Sequence, residues 1–231
     1  MYEAVRARPV GPSTVARLAA TAADYGYAGV VVTNPPDAAV DAAVDAVGEA
    51  CGIDVVDGLE LTPADPSQAA GAVGHHRPTT TVLCLRGGTG ALNRYAVRQP
   101  KLDVLTRPMA GRGDLDHVLV RAAAENGVRL AVDLGPVLRE TGPSRSAAIA
   151  GLRKLRELIA DADAPYIVTA SPGSHLELRA PRELAAVAAV AGFDREAVER
   201  GLAEWGRLAA RNRERLADGY VGPGVRVEED A

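Results

Sequence analysis

The chain has 231 residues, 47% hydrophobic and 24% charged, a globular balance that excludes a disordered polymer and leaves room for one large α/β unit. Its net charge of −4 excludes a uniformly basic nucleic-acid binder, and with Cys51 and Cys84 as the only cysteines neither a disulfide framework nor a four-cysteine zinc site is available. No apolar run reaches the roughly 18–20 residues that span a bilayer, and MYEAVRARP lacks the apolar segment of a signal peptide; a cytoplasmic location with no membrane partner is expected.

YEAVRAR (2–8) reads as a first strand. Ser13 or Thr14 can cap a helix running to Tyr25, with Val15, Leu18, Ala19 and Ala22 at helical spacing. YAGVVVT (27–33) is the apolar, β-branched run a buried parallel strand needs. Pro35 and Pro36 open a second helix with Val40, Ala43, Val44 and Val47 on one face. IDVVDGLEL (53–61) is a third strand, a short helix follows over 66–74, and TTTVLCLR (79–86) is a fourth strand. A Gly-rich turn leads into a helix near 90–98, and LDVLT (102–106) is strand five. A helix over 114–126 ends at the C-cap glycine Gly127. VRLAVDL (128–134), a helix over 144–161 and PYIVTA (165–170) continue the alternation, and helices at 181–191 and 194–216 close it.

Strand–helix alternation of this regularity predicts a parallel sheet. With seven or eight units and no linker between them, the expected fold is α/β, one TIM-like barrel over 1–216 with extra C-terminal helices. Residues 217–231, ending in VEEDA, are expected to form a mobile acidic tail.

Charge is uneven along the chain. Of the 26 basic residues only Lys101 and Lys154 are lysine; this skew also fits GC-rich codon usage. Residues 1–85 carry four Arg against ten acids, whereas 86–112 carry Arg86, Arg94, Arg98, Lys101, Arg107 and Arg112 against Asp103 alone. An anionic partner is expected to meet that middle segment. Eight aromatic residues are too few and too scattered for a base-stacking platform, so contacts to RNA would be Arg and backbone N–H to phosphate. The last helices interleave Arg195, Arg200, Arg207, Arg211, Arg213 and Arg215 with glutamates, the pattern of a solvated, salt-bridged face.

In α/β barrels the chemistry lies at the C-terminal ends of the strands. A metal-dependent hydrolase would want His-x-His ending strand one, because alternate residues share a strand face. Here that position reads Arg6-Ala7-Arg8, cations that repel a metal. His75, His76, His117 and His175 do not form a ligand pattern, and Asp57, Glu60, Asp103 and Asp133 read as structural hydrogen-bonding groups; no metal site is expected. No G-x-S-x-G elbow is present, and Cys84 lies mid-strand. RGGTGALNR (86–94) is neither a Walker motif nor a dinucleotide fingerprint; a tight turn and a phosphate nest both remain open for it.

NRYAVRQPKLDVLTRP (93–108), AAAENGVRLAVDLGPVL (122–138) and YIVTASPGSHLELRAPRELAAVAAVAGF (166–193) together resemble one family. It is the ribonuclease P protein component 3 family, the barrel subunit of archaeal and eukaryotic ribonuclease P. The likeness runs from YEAVRA (2–7) to ARNRERL (210–216), and Asn93-Arg94, Leu102 to Leu105 and Leu178 to Arg182 are its most specific parts. The resemblance implies a PHP-related barrel without the PHP metal site, which agrees with Arg6 and Arg8 as vestigial barrel-mouth positions. It further implies a noncatalytic subunit of the endoribonuclease that removes the 5′ leader of precursor tRNA, with Mg²⁺ held by the catalytic RNA and no cofactor on the protein. The implied partners are ribonuclease P RNA, protein component 2 and other ribonuclease P proteins, with precursor tRNA met indirectly. Arg86, Arg94, Arg98, Lys101, Arg107, Arg112 and Arg179 are the expected RNA-contacting residues. The acidic net charge departs from that picture, and a halophilic host would account for it. A free-standing barrel enzyme, either a PHP-like phosphoesterase or an anion-binding lyase using Arg6 and Arg8, and a pure protein-interaction scaffold are the alternatives.

Overall fold

Period-two alternation along the strands divides their side chains between two cores. The computed structural model describes residues 1–40 and 44–217, together with the backbone of 220–222 and 225–226. β1 (Tyr2–Val5), β2 (Gly29–Asn34), β3 (Asp54–Leu61), β4 (Val82–Arg86), β5 (Val104–Thr106), β6 (Arg129–Asp133) and β7 (Tyr166–Thr169) pair in parallel and in sequence order. One face of the sheet carries Ala4, Val31, Val56, Cys84, Val104, Ala131 and Ile167, and these small residues fill the barrel interior. The alternate residues, among them Val5, Val30, Leu83, Leu105 and Leu130, point outward into a larger core. That outer core is shared with α1 (Val15–Asp24), α3 (Pro66–His76), α4 (Gly90–Ala96), α5 (His117–Asn126), α7 (Gly142–Ala162) and α8 (Pro181–Ala188). The result is the TIM-like α/β barrel expected, nearly closed, with seven strands in its sheet.

Local chemistry sets the element ends. Thr14, Asp65, Thr89, Asp116 and Asp194 each cap a helix by accepting a backbone N–H, and Gly127 ends α5 in the left-handed conformation at φ 65°. Several expected bounds shift. β1 stops at Val5 rather than residue 8, because the N–H groups of Arg6 and Ala7 turn to Pro172 O and Asn34 Oδ1. Pro36 opens only the short 3₁₀ turn Pro36–Ala38, and α2 spans Val44–Cys51; Ala43, placed on that helix, falls outside the described residues. A short helix not foreseen, α6 (Gly135–Arg139), follows β6. Of the segment 217–231, Tyr220–Gly222 (β8) and Val225–Arg226 (β9) pair antiparallel, and the rest of the expectation for it falls outside the described residues.

β1 and β7 meet without a backbone ladder. The Glu3 carboxylate fills that seam instead, accepting from Ala170 N–H at 3.1 Å, Ala4 N–H at 2.9 Å and the Thr169 hydroxyl. α9 (Arg195–Leu216) then closes the N-terminal end of the barrel, inserting Trp205, Leu208 and Ala209 among the interior residues. Gly201 and Gly206 permit the approach: a Cβ at Gly201 would stand 2.5 Å from Val168 Cγ2, and one at Gly206 2.6 Å from Tyr2 Cε2. Trp205 Nε1–H donates to Val168 O at 2.9 Å, satisfying a carbonyl on the open edge of β7.

Candidate functional site

Following the inward-facing register one step beyond the small apolar layer reaches the C-terminal ends of the strands. There the residues turn polar: Arg6 after Ala4, Glu60 after Val56 and Gly58, Arg86 after Cys84, Thr106 after Val104 and Asp133 after Ala131. Glu60 is the hub. Its Oε2 accepts from Arg6 Nη2 at 2.7 Å, its Oε1 accepts from the Thr106 hydroxyl, and Arg86 Nε stands 3.6 Å away. Asp133, at the end of β6, accepts from Gly135 N–H at 2.9 Å and faces Arg107 Nε at 3.7 Å. Arg139 of α6 reaches back over this end, donating to Ala170 O at 2.9 Å, with Glu177 3.9 Å away.

Four guanidinium groups therefore share the mouth with three carboxylates. Burial raises the Asp133 carboxyl above its ordinary range, against the opposing pull of Gly135 N–H and the neighbouring Arg107, Arg139 and Arg6. Burial also lowers Arg86, with repulsion from Arg6 and Arg107 acting in the same direction against the attraction of Glu60 and Asp133. Arg107 adopts a left-handed backbone at φ 49°, uncommon for a residue with a side chain. A cavity of about 320 Å³ opens beside Arg107 and Asp133, with Met109, Gly151, Leu152 and Leu155 on its apolar side.

The expected basic residues do not form one patch. Arg86 and Arg107 are at the mouth, as is Arg6. Arg8 is not: the strand has already ended, and its exposed side chain folds onto Pro12 O in its own loop at 3.0 Å. The Arg6-x-Arg8 pair thus does not put two cations on one strand face. Arg94 and Arg98 are exposed on α4 and the turn after it, flanking Tyr95 and Gln99 around a shallow depression of about 390 Å³. Lys101 continues that line to the opposite end of the barrel, beside Arg77 and Arg215. Arg112 is exposed on the β5–α5 loop, where its backbone bridges to Thr89. Arg179 is half-buried and donates to Leu176 O and Leu178 O, holding its own loop.

Other sequence features settle as structure. Both glycine amides of the Gly87–Thr89 turn are engaged: Gly87 N–H donates to Thr106 O at 2.8 Å and Gly88 N–H to Asn93 Oδ1 at 3.3 Å. Buried Asn93 also donates to Pro108 O and Asp114 O, tying two loops together, so this is a tight turn rather than a phosphate nest. Asp103 precedes β5 at the N-terminal end of the barrel, where it accepts from Arg77, Arg211, Asn212 and Leu83 N–H. Ser13, offered as a cap, bonds His175 Nδ1 at 2.9 Å instead. His75 and His76 stack edge-on at the end of α3, and burial pushes the Cys84 thiol well above its ordinary value. Among the described residues no group of three or more His, Cys, Asp or Glu side chains is placed to hold a metal. Arg139 escaped the sequence reading because α6 did; Gly135-Pro136, with proline early in the helix, was the available signal.

The family model for RNase P subunit p30 matches residues 1–217. The chain is 53% identical to Ribonuclease P protein component 3 of Haloarcula marismortui, over 100% of this chain and 98% of that one. It is 50% identical to the protein of the same name from Halorubrum lacusprofundi, with both chains fully covered, and 32% identical to that of Methanosarcina barkeri, over 98% and 94%. Its fold is similar to a chain in the cryo-EM structure of archaeal Ribonuclease P with mature tRNA, at a TM-score of 0.84 and 19% identity over 99% of each chain.

Proposed function

The chain belongs to the RNase P subunit p30 family, and from that premise we propose that it acts as a noncatalytic protein of the ribonuclease P holoenzyme. In this reading the catalytic RNA holds the Mg²⁺ ions and cuts the 5′ leader from precursor tRNA. This subunit joins protein component 2 in the cytoplasm and supports the RNA's catalytic domain. It takes no metal or cofactor of its own. The observation that carries the noncatalytic role is the donor set at the barrel mouth. Where a metallophosphoesterase would need His and carboxylate ligands, arginines from the ends of β1, β4 and β5 occupy the positions.

RNA contact is assigned first to the outer line Arg94, Arg98 and Lys101, with Arg112 above it. Arg94 and Arg98 have no carboxylate within ion-pair distance among the described residues, so their charge is available to a phosphate backbone. Arg179 is assigned to loop structure, and Arg86 and Arg107 lie too far into the mouth to track a helix backbone.

Precursor-tRNA cleavage by the RNA at limiting Mg²⁺, with component 2 and with or without this protein, tests the role. Stimulation is expected only when RNA and both proteins are present. Arg94→Ala with Arg98→Ala should weaken assembly, and should flatten the dependence of log affinity on log salt by roughly 0.7–0.9 per lost phosphate contact. An unchanged salt slope would remove these two residues from the interface.

A further inference from the structure

Arg86 and Arg107 differ from the other arginines at the two ends of the barrel; Arg156, on the outer helix α7, also has a buried Nε without a partner among the described residues, but it stands beside Glu157 at 3.8 Å, away from the strand ends. Arg6 donates to Glu60, Arg129 to Glu204, Arg211 to Asp103 and Arg139 to Ala170 O. Among the described residues neither Arg86 nor Arg107 donates a side-chain hydrogen bond, and the Nε of each is buried with no partner. The nearest carboxylate oxygens, at 3.6 and 3.7 Å, are beyond bonding range. Buried donors of a charged group are costly to leave unmet, and two of them stand here at the ends of adjacent strands, beside Glu60 and Asp133. Arg107 also holds its strained left-handed backbone at this spot, a feature that collects at ligand sites.

We propose that the mouth of the barrel is a binding site for a single phosphate-type oxyanion, held between Arg86 and Arg107 with Arg6 and Arg139 at its flanks. The charges favour a phosphate over a carboxylate. Glu60 is already bound by Arg6 and Thr106, and Asp133 accepts from Gly135 N–H with its carboxyl raised by burial, which leaves two forks of N–H donors to be satisfied by one guest, with Glu140 the other acid on the cavity wall. A tetrahedral dianion presents enough oxygens to accept from both forks, whereas a carboxylate fills one. The cavity of about 320 Å³ that begins at Arg107 and Asp133 is larger than the phosphate group alone requires. It can admit the organic part of a phosphomonoester against Met109, Leu152 and Leu155. The guest is thus free orthophosphate or the terminal phosphate of a small ester. This site does not depend on the outer RNA-binding line and is tested on the protein alone.

The melting temperature and the binding heat are measured with orthophosphate against chloride at equal ionic strength, and with uridine 5′-monophosphate against uridine. A saturable rise with phosphate is expected. It should be weakened about tenfold or more in Arg86→Gln and in Arg107→Gly, each removing one charged donor, and kept in Arg94→Ala with Arg98→Ala. Arg107→Gly suits the left-handed backbone, so that variant separates loss of the site from loss of the fold. Tighter binding of the nucleotide than of orthophosphate identifies an ester as the guest; equal or weaker binding identifies the free ion. A rise that does not saturate and persists in Arg86→Gln and Arg107→Gly is general ion exclusion, and it overturns the proposal, as does no rise at all.

Discussion

The two ends of the barrel handle charge in opposite ways. At the N-terminal end three carboxylates are well supplied with donors among the described residues. Asp103 accepts from two arginines, Asn212 and a backbone N–H; Glu204 takes Arg129 through both Nε and Nη2; Asp54 takes Arg213 through two nitrogens at 2.8 Å. At the C-terminal end two arginines have no side-chain acceptor among the described residues, a carboxyl is pushed toward neutrality by burial, and a non-glycine residue is left-handed. A network satisfied throughout holds elements in place; one left partly unmet is where a guest can contribute. The same seven strands thus carry a stability end and, in the proposal above, a binding end, as barrel architecture leads one to expect.

The largest test of that division is at the closed end. Trp205 is fully buried and fills a barrel interior lined otherwise by Ala, Val, Cys and Ile. Trp205→Ala would leave a cavity and orphan Val168 O, at a cost of about 3–5 kcal/mol. Chemical denaturation reads it directly. A loss under about 1 kcal/mol would mean that α9 is an ornament on a barrel that closes without it.

A middle-sized effect belongs to the seam between the ends. Burial raises Glu3 from an ordinary 4.5 to about 8, against the hydrogen bonds of Thr169, Ala170 and Ala4. The folded chain then keeps a proton that the unfolded chain has released across that interval. Stability contributed by the neutral carboxyl is complete below about 4.5 and falls as pH rises toward 8. Glu3→Gln carries no titrating group, so its stability relative to the parent should climb with pH, by up to a few kcal/mol, or about 4, at pH 8.5. Denaturation midpoints of both proteins at pH 5.5, 7 and 8.5 check it; parallel pH profiles would show that Glu3 is ionised in the seam.

How legible all this was varies with how local the signal is. The strands were readable because buried parallel strands are continuous runs such as YAGVVVT, and the helices because of their apolar spacing and end signals such as Thr14 and Gly127. Arg6 at the mouth followed from strand parity, and Arg8 did not, because a backbone bond to Pro172 ends the strand before that parity reaches it. The role of α9 was hidden. Its Arg195–Glu199 and Arg200–Glu196 pairs lie on the surface as the pattern implies, yet Arg211 and Arg213 bond residues more than 100 positions away. An amphipathic repeat says that a helix has an apolar face and nothing about which cavity receives it. Asn93 and Arg139 were equally silent, since their partners are carbonyls, which no side-chain pattern announces.

The smallest expected effect is the sharpest probe of the open end. In Arg107→Gly the relief of left-handed strain is about 1–2 kcal/mol, and the added backbone entropy of glycine offsets about 0.5–1 kcal/mol of it. Little else is lost, because the Arg107 side chain makes no hydrogen bond among the described residues and its approach to Asp133 is 3.7 Å at a partly exposed position. The variant should therefore be as stable as the parent or better by up to about 1 kcal/mol in chloride, while losing its response to phosphate. Such a residue would be one whose presence costs the free fold something and is retained for its guest. A loss of more than about 1 kcal/mol in chloride would place Arg107 with Arg129 and Arg211 as a strut, and the contrast between the two ends of the barrel would fail at its most exposed point.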